Sequence, residues 1–268
     1  MRCGAGMALA ALVLTGLMSA GPAGARPLRI LSLDQCADQY VLALAPEAEL
    51  ILSPRADDPD SWMRSEATGR RTSRGTLEAI VATGPDLVVR YWGGDARLLA
   101  GLDRRGIRVA EIGDVSDFDG IRMQMRSVGR AVGRADRAET LIRSMDDRLA
   151  LARRPVSPDR TALYLTAGGF TAGAGTLVDA IMKAAGYRNL APGPFFSAVS
   201  VERIALEPPV RFVLGFFDMV RSDWRGAGRH PVISRAAQGR TAVSLPAAAL
   251  SCPAWFSAEA SLMLAQAK

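Results

Sequence analysis

His230 is the only histidine in this 268-residue chain, so a Ser-His-Asp triad or a histidine-rich metal site would have to be assembled around it alone. It stands beside Pro231 in a polar segment and reads as a surface residue. No G-x-S-x-G nucleophile elbow occurs. Gly173-Ala174-Gly175 lies after a strand and before a helix, like the opening of a dinucleotide fingerprint. However, Val178 takes the place of its third glycine, and the motif sits deep in the chain rather than at the first strand. The segment 168–175 reads better as a flexible loop bringing backbone N–H groups and Phe170 toward a ligand. An exported α/β enzyme using that loop and one carboxylate stays open as the alternative. The main expectation is a protein that is no enzyme and has no cofactor and no metal ion of its own.

Two carboxylates stand in a repeated phrase. Thr76-Leu77-Glu78-Ala79-Ile80 leads, seven residues after the Glu, to Pro85 and Leu87-Val88-Val89. Ser200-Val201-Glu202-Arg203-Ile204 leads at the same interval to Pro209 and Phe212-Val213-Leu214. Each copy reads as a hydroxyl N-cap, a short helix with Glu in its first turn, a proline turn and a buried strand. A first-turn carboxylate also gains ~0.3–1 kcal/mol from the helix dipole, which accounts for either Glu alone but not for the repetition. Aromatics cluster just past strand ends: Tyr91-Trp92-Gly93-Gly94 after the first copy, Phe216-Phe217 after the second, and Phe170 after a strand at 161–165. Loops at the carboxyl ends of parallel strands are where α/β proteins bind ligands, and such rings suit a flat or apolar one. Trp62, Trp224 and Trp255 are further candidates.

These residues need elements to hold them. Met1-Arg2, an apolar stretch from about residue 7 to 18 and Ala23-Gly24-Ala25 make a secretory signal peptide over 1–25; the apolar run is shorter than the ~20 residues of a membrane span. Two cysteines survive its removal, Cys36 and Cys252, and in an oxidising compartment the pair invites a disulfide. Strands are expected over 28–33, 50–53, 87–90 and 108–112, alternating with helices, as in a mostly parallel sheet covered by helices. The polar stretch 54–74, containing Trp62, has no clear period. From 118 to about 153 apolar residues keep helical spacing, interrupted only around Gly129 and Gly133, so a connecting helix, or two in series, is predicted between lobes. The second half resumes with a strand at 161–165, helix 177–185, strand 243–245 and terminal helix 254–267. The divisions are thus an N-terminal lobe over 26–116, a connecting region over 117–155 and a C-terminal lobe over 156–268. Formal charge is +6, with arginines scattered among acids rather than in a dense run. Nucleic acid is therefore not expected as a partner; no other segment is long and apolar enough to span a bilayer, so stable membrane insertion is not expected either, and the protein is expected to be a monomer.

The signal peptide, Ile30-Leu31-Ser32-Leu33-Asp34, the segment Leu77-Glu78 through Pro85-Asp86-Leu87-Val88-Val89, the following Trp92-Gly93-Gly94 and the long mid-chain helix together resemble the periplasmic binding proteins of ABC importers for vitamin B12 and ferric siderophores. The resemblance implies two Rossmann-like α/β lobes with mostly parallel sheets, joined by a single long interlobe helix, with ligand in the cleft between them. It also implies a periplasmic location, an ABC permease with its ATPase as partner, and docking of Glu78 and Glu202 onto permease arginines. The second copy is looser, since Pro208-Pro209-Val210-Arg211 lacks the Pro-Asp of the first. The implied cargo is a ferric siderophore or a cobalamin, with haem as the alternative. Haem would call on Tyr91 or His230 as axial ligand, and Arg55, Arg90 and Arg97 would suit an anionic siderophore. Ligand contacts are expected from Cys36, Trp62, Tyr91, Trp92, Gly93, Phe170, Phe217, Cys252 and Trp255. The two cysteines would either bridge the cleft or sit as free thiols beside the ligand; the bridge is preferred.

Overall fold

The computed structural model describes residues 26–219 and 225–267, so the signal peptide expected over 1–25 and the candidate Trp224 lie outside the described residues. The first lobe runs β1 (Arg29–Ser32), α1 (Gln35–Leu44), β2 (Glu49–Ile51), α2 (Arg64–Ala67), α3 (Leu77–Thr83), β3 (Leu87–Tyr91), α4 (Ala96–Asp103) and β4 (Arg108–Ile112). Two helices follow, α5 (Phe118–Ala131) and α6 (Ala135–Ala152). The second lobe runs β5 (Thr161–Thr166), β6 (Phe170–Ala172), α7 (Leu177–Ala184), β7 (Arg188–Asn189), β8 (Phe196–Ala198), α8 (Val201–Leu206), β9 (Phe212–Gly215), α9 (Pro231–Ala237), β10 (Thr241–Leu245), α10 (Ala247–Leu250) and α11 (Ser257–Gln266). Among the described residues no helix is long and apolar enough to cross a membrane.

Each lobe holds a four-stranded parallel sheet, ordered β2-β1-β3-β4 in the first and β7-β5-β9-β10 in the second. The order is the same in both: the lobe's first strand lies between its second and third. The repeated phrase occupies equivalent places, giving α3 and β3 in one lobe and α8 and β9 in the other. Thr76 caps α3 by accepting from Ala79 N, and Ser200 caps α8 by accepting from Arg203 N. Two residues beyond each Glu, Ile80 and Ile204 drop into matching outer cores, one with Leu31, Val88 and Leu102, the other with Leu165, Phe212 and Ile233. Burying an isoleucine contributes ~1.5–3 kcal/mol, enough to fix which face of so short a helix turns outward. The Glu that remains is exposed in both lobes.

The connecting region departs from a single helix. Gly133 takes a left-handed φ of 72° and ends α5, and α6 turns back beside it. A Cβ on Gly129 would lie 2.6 Å from that of Ala138, so the glycine lets the two backbones cross closely. Ion pairs Arg122–Asp146 (2.5 Å) and Arg126–Glu139 (2.7 Å) set the antiparallel register. The 18-residue α6 then packs against α11, with Arg148–Glu259 at 2.8 Å, while Arg137 donates to the Ala43 carbonyl and Arg134 pairs with Glu47. One buried cluster runs through both lobes by this route, from Tyr40, Val41 and Met125 to Met145, Tyr164 and Leu264.

The other element the sequence did not announce is an antiparallel ribbon of β6 and β8, pairing Phe170 with Ala198 and Ala172 with Phe196. It interrupts the glycine-rich segment. A Cβ on Gly173 would fall 1.8 Å from the Gly193 carbonyl oxygen, and one on Gly169 would fall 2.6 Å from Ala227 Cβ. Both glycines serve close backbone packing. The first turn of α7 carries the buried Asp179, paired with Lys183 and bonded by Asn189, so this helix end is already supplied with negative charge and is a poor seat for a phosphate.

Candidate functional site

A cleft of about 560 Å³ opens between the lobes. The first lobe contributes Tyr91, at the carboxyl end of β3, and Asp114, Val115 and Ser116, just past β4. The second contributes Gly175 to Val178 and Ile181 of α7 and its approach, Phe195, Phe196 and Phe216, and Leu250, Ser251 and Pro253. The walls are thus formed by segments at the carboxyl ends of parallel strands and by the ribbon.

Two of the three phenylalanines are held in a costly backbone conformation. Phe195 (φ 58°) and Phe216 (φ 61°) are the non-glycine residues with positive φ among the described residues, and both face the cleft. Left-handed backbone at a bulky residue costs on the order of 1 kcal/mol or more and marks positions where the surroundings over-determine the geometry. Phe195 is 64% exposed, as is Phe196, and its ring lies over Gly175, where any Cβ would sit 3.1 Å from it. Phe216 reverses the chain just past β9, and the reversal sends Phe217 the other way. Phe217, expected at the cleft, packs instead beside Leu214 and Ile233 under the Arg229 guanidinium, 5.1 Å from its ring centre.

On the opposite wall Tyr91 donates from Oη to Asp114 Oδ1 at 2.8 Å, and its backbone N–H is held by Asp34 Oδ2 at 2.7 Å. Burial, reinforced by the Asp114 carboxylate, pushes the Tyr91 phenol well above its ordinary value, so it stays a hydrogen-bond donor. Trp92 and Gly93 lie beyond it: Trp92 is 51% exposed, meets Tyr91 edge to face at 6.2 Å, and borders a neighbouring hollow with Asp34, Arg90 and Asp95. Gly93 and Gly94 take φ of 79° and 86° in turning the chain there. Phe170 is half exposed on the ribbon, outside the cleft lining.

The remaining expected contacts form the junction of the lobes. Cys36, in the first turn of α1, is disulfide-bonded to Cys252, with Cα atoms 5.5 Å apart. Both sulfurs are buried and joined to one another, so neither is a thiol ligand. Around the bridge Tyr40 Oη donates to the Pro253 carbonyl at 2.6 Å, Trp255 meets Tyr40 edge to face at 5.9 Å, and Trp62 stacks on Phe256 at 5.0 Å. Trp62 and Trp255 therefore pack one lobe on the other rather than lining the cleft. The flanking Ser251 and Pro253 do line it, which puts the disulfide directly behind the cleft wall.

Beneath this junction α1 is buried along its whole length and carries a polar network. Asp38 accepts from the Ser32 hydroxyl, from Ser53 N (2.9 Å) and from Ser53 Oγ (2.5 Å), tying α1 to β1 and to the end of β2. Burial outweighs these bonds and pushes its carboxyl up to about 6. Gln35 donates to Ser61 Oγ, and Gln39 accepts from Met63 N, which anchors the loop bearing Trp62.

The three arginines expected to suit an anionic ligand lie outside the described cleft lining. Arg90 is buried and pairs with Glu111 at 2.6 Å, Arg55 pairs with Asp58 at 2.8 Å, and Arg97 is exposed; none is in the lining. His230 is exposed and its Nδ1 accepts from Val232 N, capping α9 away from the cleft. Glu202 is held below the usual carboxylate range by a backbone hydrogen bond and by the Ser200 hydroxyl, 2.9 Å away.

A family model described as "Periplasmic binding protein" matches residues 43–213. A cobalamin-binding protein of Halobacterium salinarum is 30% identical over 138 residues, covering 50% of this chain and 37% of that protein. The chain thus matches little more than a third of the curated relatives' length. The periplasmic haem-binding protein RhuT of Roseiflexus sp. RS-1, in apo form, superposes with a TM-score of 0.72 at 22% identity over 89% of this chain and 97% of that one. The vitamin B12-binding protein BtuF of Vibrio cholerae superposes with a TM-score of 0.59 at 19% identity over 89% and 95%. These superpositions carry the fold: two α/β lobes with the cleft between them.

Proposed function

The chain belongs to the periplasmic binding protein family, and from that premise we propose that it captures a cobalamin-type corrinoid outside the cytoplasm and delivers it to the permease and ATPase of an ABC importer. The family is one of binding proteins, and the site's residues suit binding: three phenylalanines offer contact area, and the hydroxyl–carboxylate pair in hydrogen-bond reach, Tyr91 with Asp114, keeps its proton on the phenol. The observation that carries the ligand class is the aromatic wall of Phe195, Phe196 and Phe216, two of them held out by strained backbone. Such rings bury a broad apolar face of a macrocycle and gain little from a small polar solute. The 30% identity to cobalamin-binding proteins supports the same choice.

A ferric siderophore rich in carboxylates or catecholates would enter a cleft whose described lining contains no arginine or lysine. Haem would need an axial ligand, yet Tyr91 keeps its proton on Asp114 and His230 faces elsewhere. Glu78 and Glu202, at equivalent places on the two lobes and both exposed, are the proposed docking points for permease arginines. The signal peptide over 1–25, cleaved on export, is part of this proposal.

Titrating the intrinsic tryptophan fluorescence of the purified protein with cyanocobalamin, a ferric siderophore and haemin tests the ligand. Saturable quenching by the corrinoid at the lowest concentration is expected. Quenching by either iron compound alone would reassign the cargo, and none by any of the three would remove the whole reading.

A further inference from the structure

The geometry points to Asp114 as the charge filter of the cleft, admitting neutral or cationic ligands and rejecting anionic ones. The inference rests on the cleft being the ligand site, as proposed above. Asp114 is the sole ionisable acid or base in the described lining apart from the Tyr91 phenol. It is exposed toward the cleft, and Tyr91 Oη, 2.8 Å away, holds its carboxylate in place. Among the described residues the facing wall carries the hydroxyls of Thr176 and Ser251 among apolar and aromatic side chains, and no counter-charge.

Among the described residues, two features near this carboxylate that could offset it are spent elsewhere. The amino end of α7 reaches the cleft through Gly175 to Val178, but its partial positive charge is met by Asp179 in its own first turn. The guanidinium of Arg90, next to Tyr91 in sequence, is taken by Glu111. An anion entering here loses water against apolar rings and meets a fixed negative charge. A neutral macrocycle buries the same rings without that repulsion, and a cation gains from the carboxylate. At a separation of ~6 Å and an intermediate effective dielectric, one ligand charge changes affinity by roughly tenfold, less at high salt.

The direct test compares two ligands of equal size, cyanocobalamin and its monocarboxylate derivative with one amide hydrolysed, on the wild-type protein and on Asp114→Asn at low ionic strength. Wild type should prefer the neutral compound by roughly tenfold and Asp114→Asn by less than about twofold, with the wild-type preference shrinking as salt rises. Asp114→Ser, which removes the amide as a new partner for Tyr91, should behave as Asp114→Asn does, and circular dichroism checks that both fold. An unchanged preference in both variants overturns the filter. Should neither corrinoid bind, the corrinoid reading falls, and the filter is judged on cationic ferrioxamine B against a trianionic ferric tris-catecholate. Wild-type preference for the cation, lost in Asp114→Asn, upholds it; preference for the trianion, or binding of neither chelate, overturns it.

Discussion

Breaking the bridge between Cys36 and Cys252 should lower stability more than any other single change away from the cores. The magnitude follows from its span of 216 residues. In the chain-entropy treatment a loop of that length, closed in the unfolded state, removes about 18 cal/mol/K, or about 5 kcal/mol at 25 °C. The neighbouring lobe contacts are weaker: about 1 kcal/mol each is the expected worth of the Tyr40–Pro253 hydrogen bond and of the Trp62–Phe256 stack. These contacts survive reduction, so the lobes stay docked while the unfolded chain gains freedom. Urea unfolding of the oxidised protein, the dithiothreitol-reduced protein and Cys36→Ala/Cys252→Ala should show a loss of about 3–5 kcal/mol in both altered forms. The m-value should rise on reduction, because an uncrosslinked chain exposes more surface. Oxidised and reduced forms agreeing within about 1 kcal/mol, or free thiols in the exported protein by alkylation and mass spectrometry, would refute the argument.

Asp38 has a native carboxyl raised from 3.8 to about 6, so the folded state binds its proton more tightly than the unfolded chain. The resulting stabilisation is full below pH ~4 and lost as pH rises through 6; it amounts to about 3 kcal/mol, roughly half of it lost between pH 5 and 7.5. Asp38→Asn should flatten that slope in urea titrations, and an unaltered slope would place the proton elsewhere. Phe195→Gly and Phe216→Gly relieve left-handed backbone, so each should raise the melting temperature or leave it level while weakening corrinoid affinity at least tenfold; calorimetry and titration on the same samples read both. Gly173→Ala would drive a methyl into the Gly193 carbonyl and should cost more than about 2 kcal/mol, with loss of ribbon protection in hydrogen exchange. Glu78→Arg/Glu202→Arg should abolish uptake in cells while ligand affinity in vitro stays at wild-type level; unchanged uptake would sink the docking assignment.

Much of the fold was legible because both lobes obey short-range rules. Thr76 and Ser200 announce their helices, Ile80 and Ile204 fix their inner faces, and the apolar runs at β3 and β9 can only be buried strands. The break at Gly133 was visible as an interruption but not as a reversal, since the pairing of Arg122 with Asp146 depends on tertiary geometry. The ribbon was illegible: β6 and β8 have three residues each, too few for any period to show. Phe195 and Phe196 were therefore missed, although Pro192-Gly193-Pro194 before them is a turn signal that could have drawn attention to that segment. At Phe216-Phe217 the strand-end rule found the right place but not which ring faces the cleft, because the choice hangs on one left-handed residue. Trp62 and Trp255 sit at the lobe junction since aromatic residues serve packing and binding equally well.

The bridge also bears on the order in which this protein is made. Cys36 emerges from synthesis more than two hundred residues ahead of its partner, and besides Cys252 the chain has one other cysteine, Cys3, within the predicted signal peptide. On the proposed reading, in which that peptide is cleaved on export, no wrong internal pairing exists, so shuffling between partners, the usual hazard of oxidative folding, cannot arise. What remains is a waiting thiol on the first helix, whose errors take the form of dimers or small-thiol adducts. Cys252 is also carried on the loop between α10 and α11 that abuts the cleft wall. Closing the bond is thus a late event that joins the earliest helix to one of the last segments to appear.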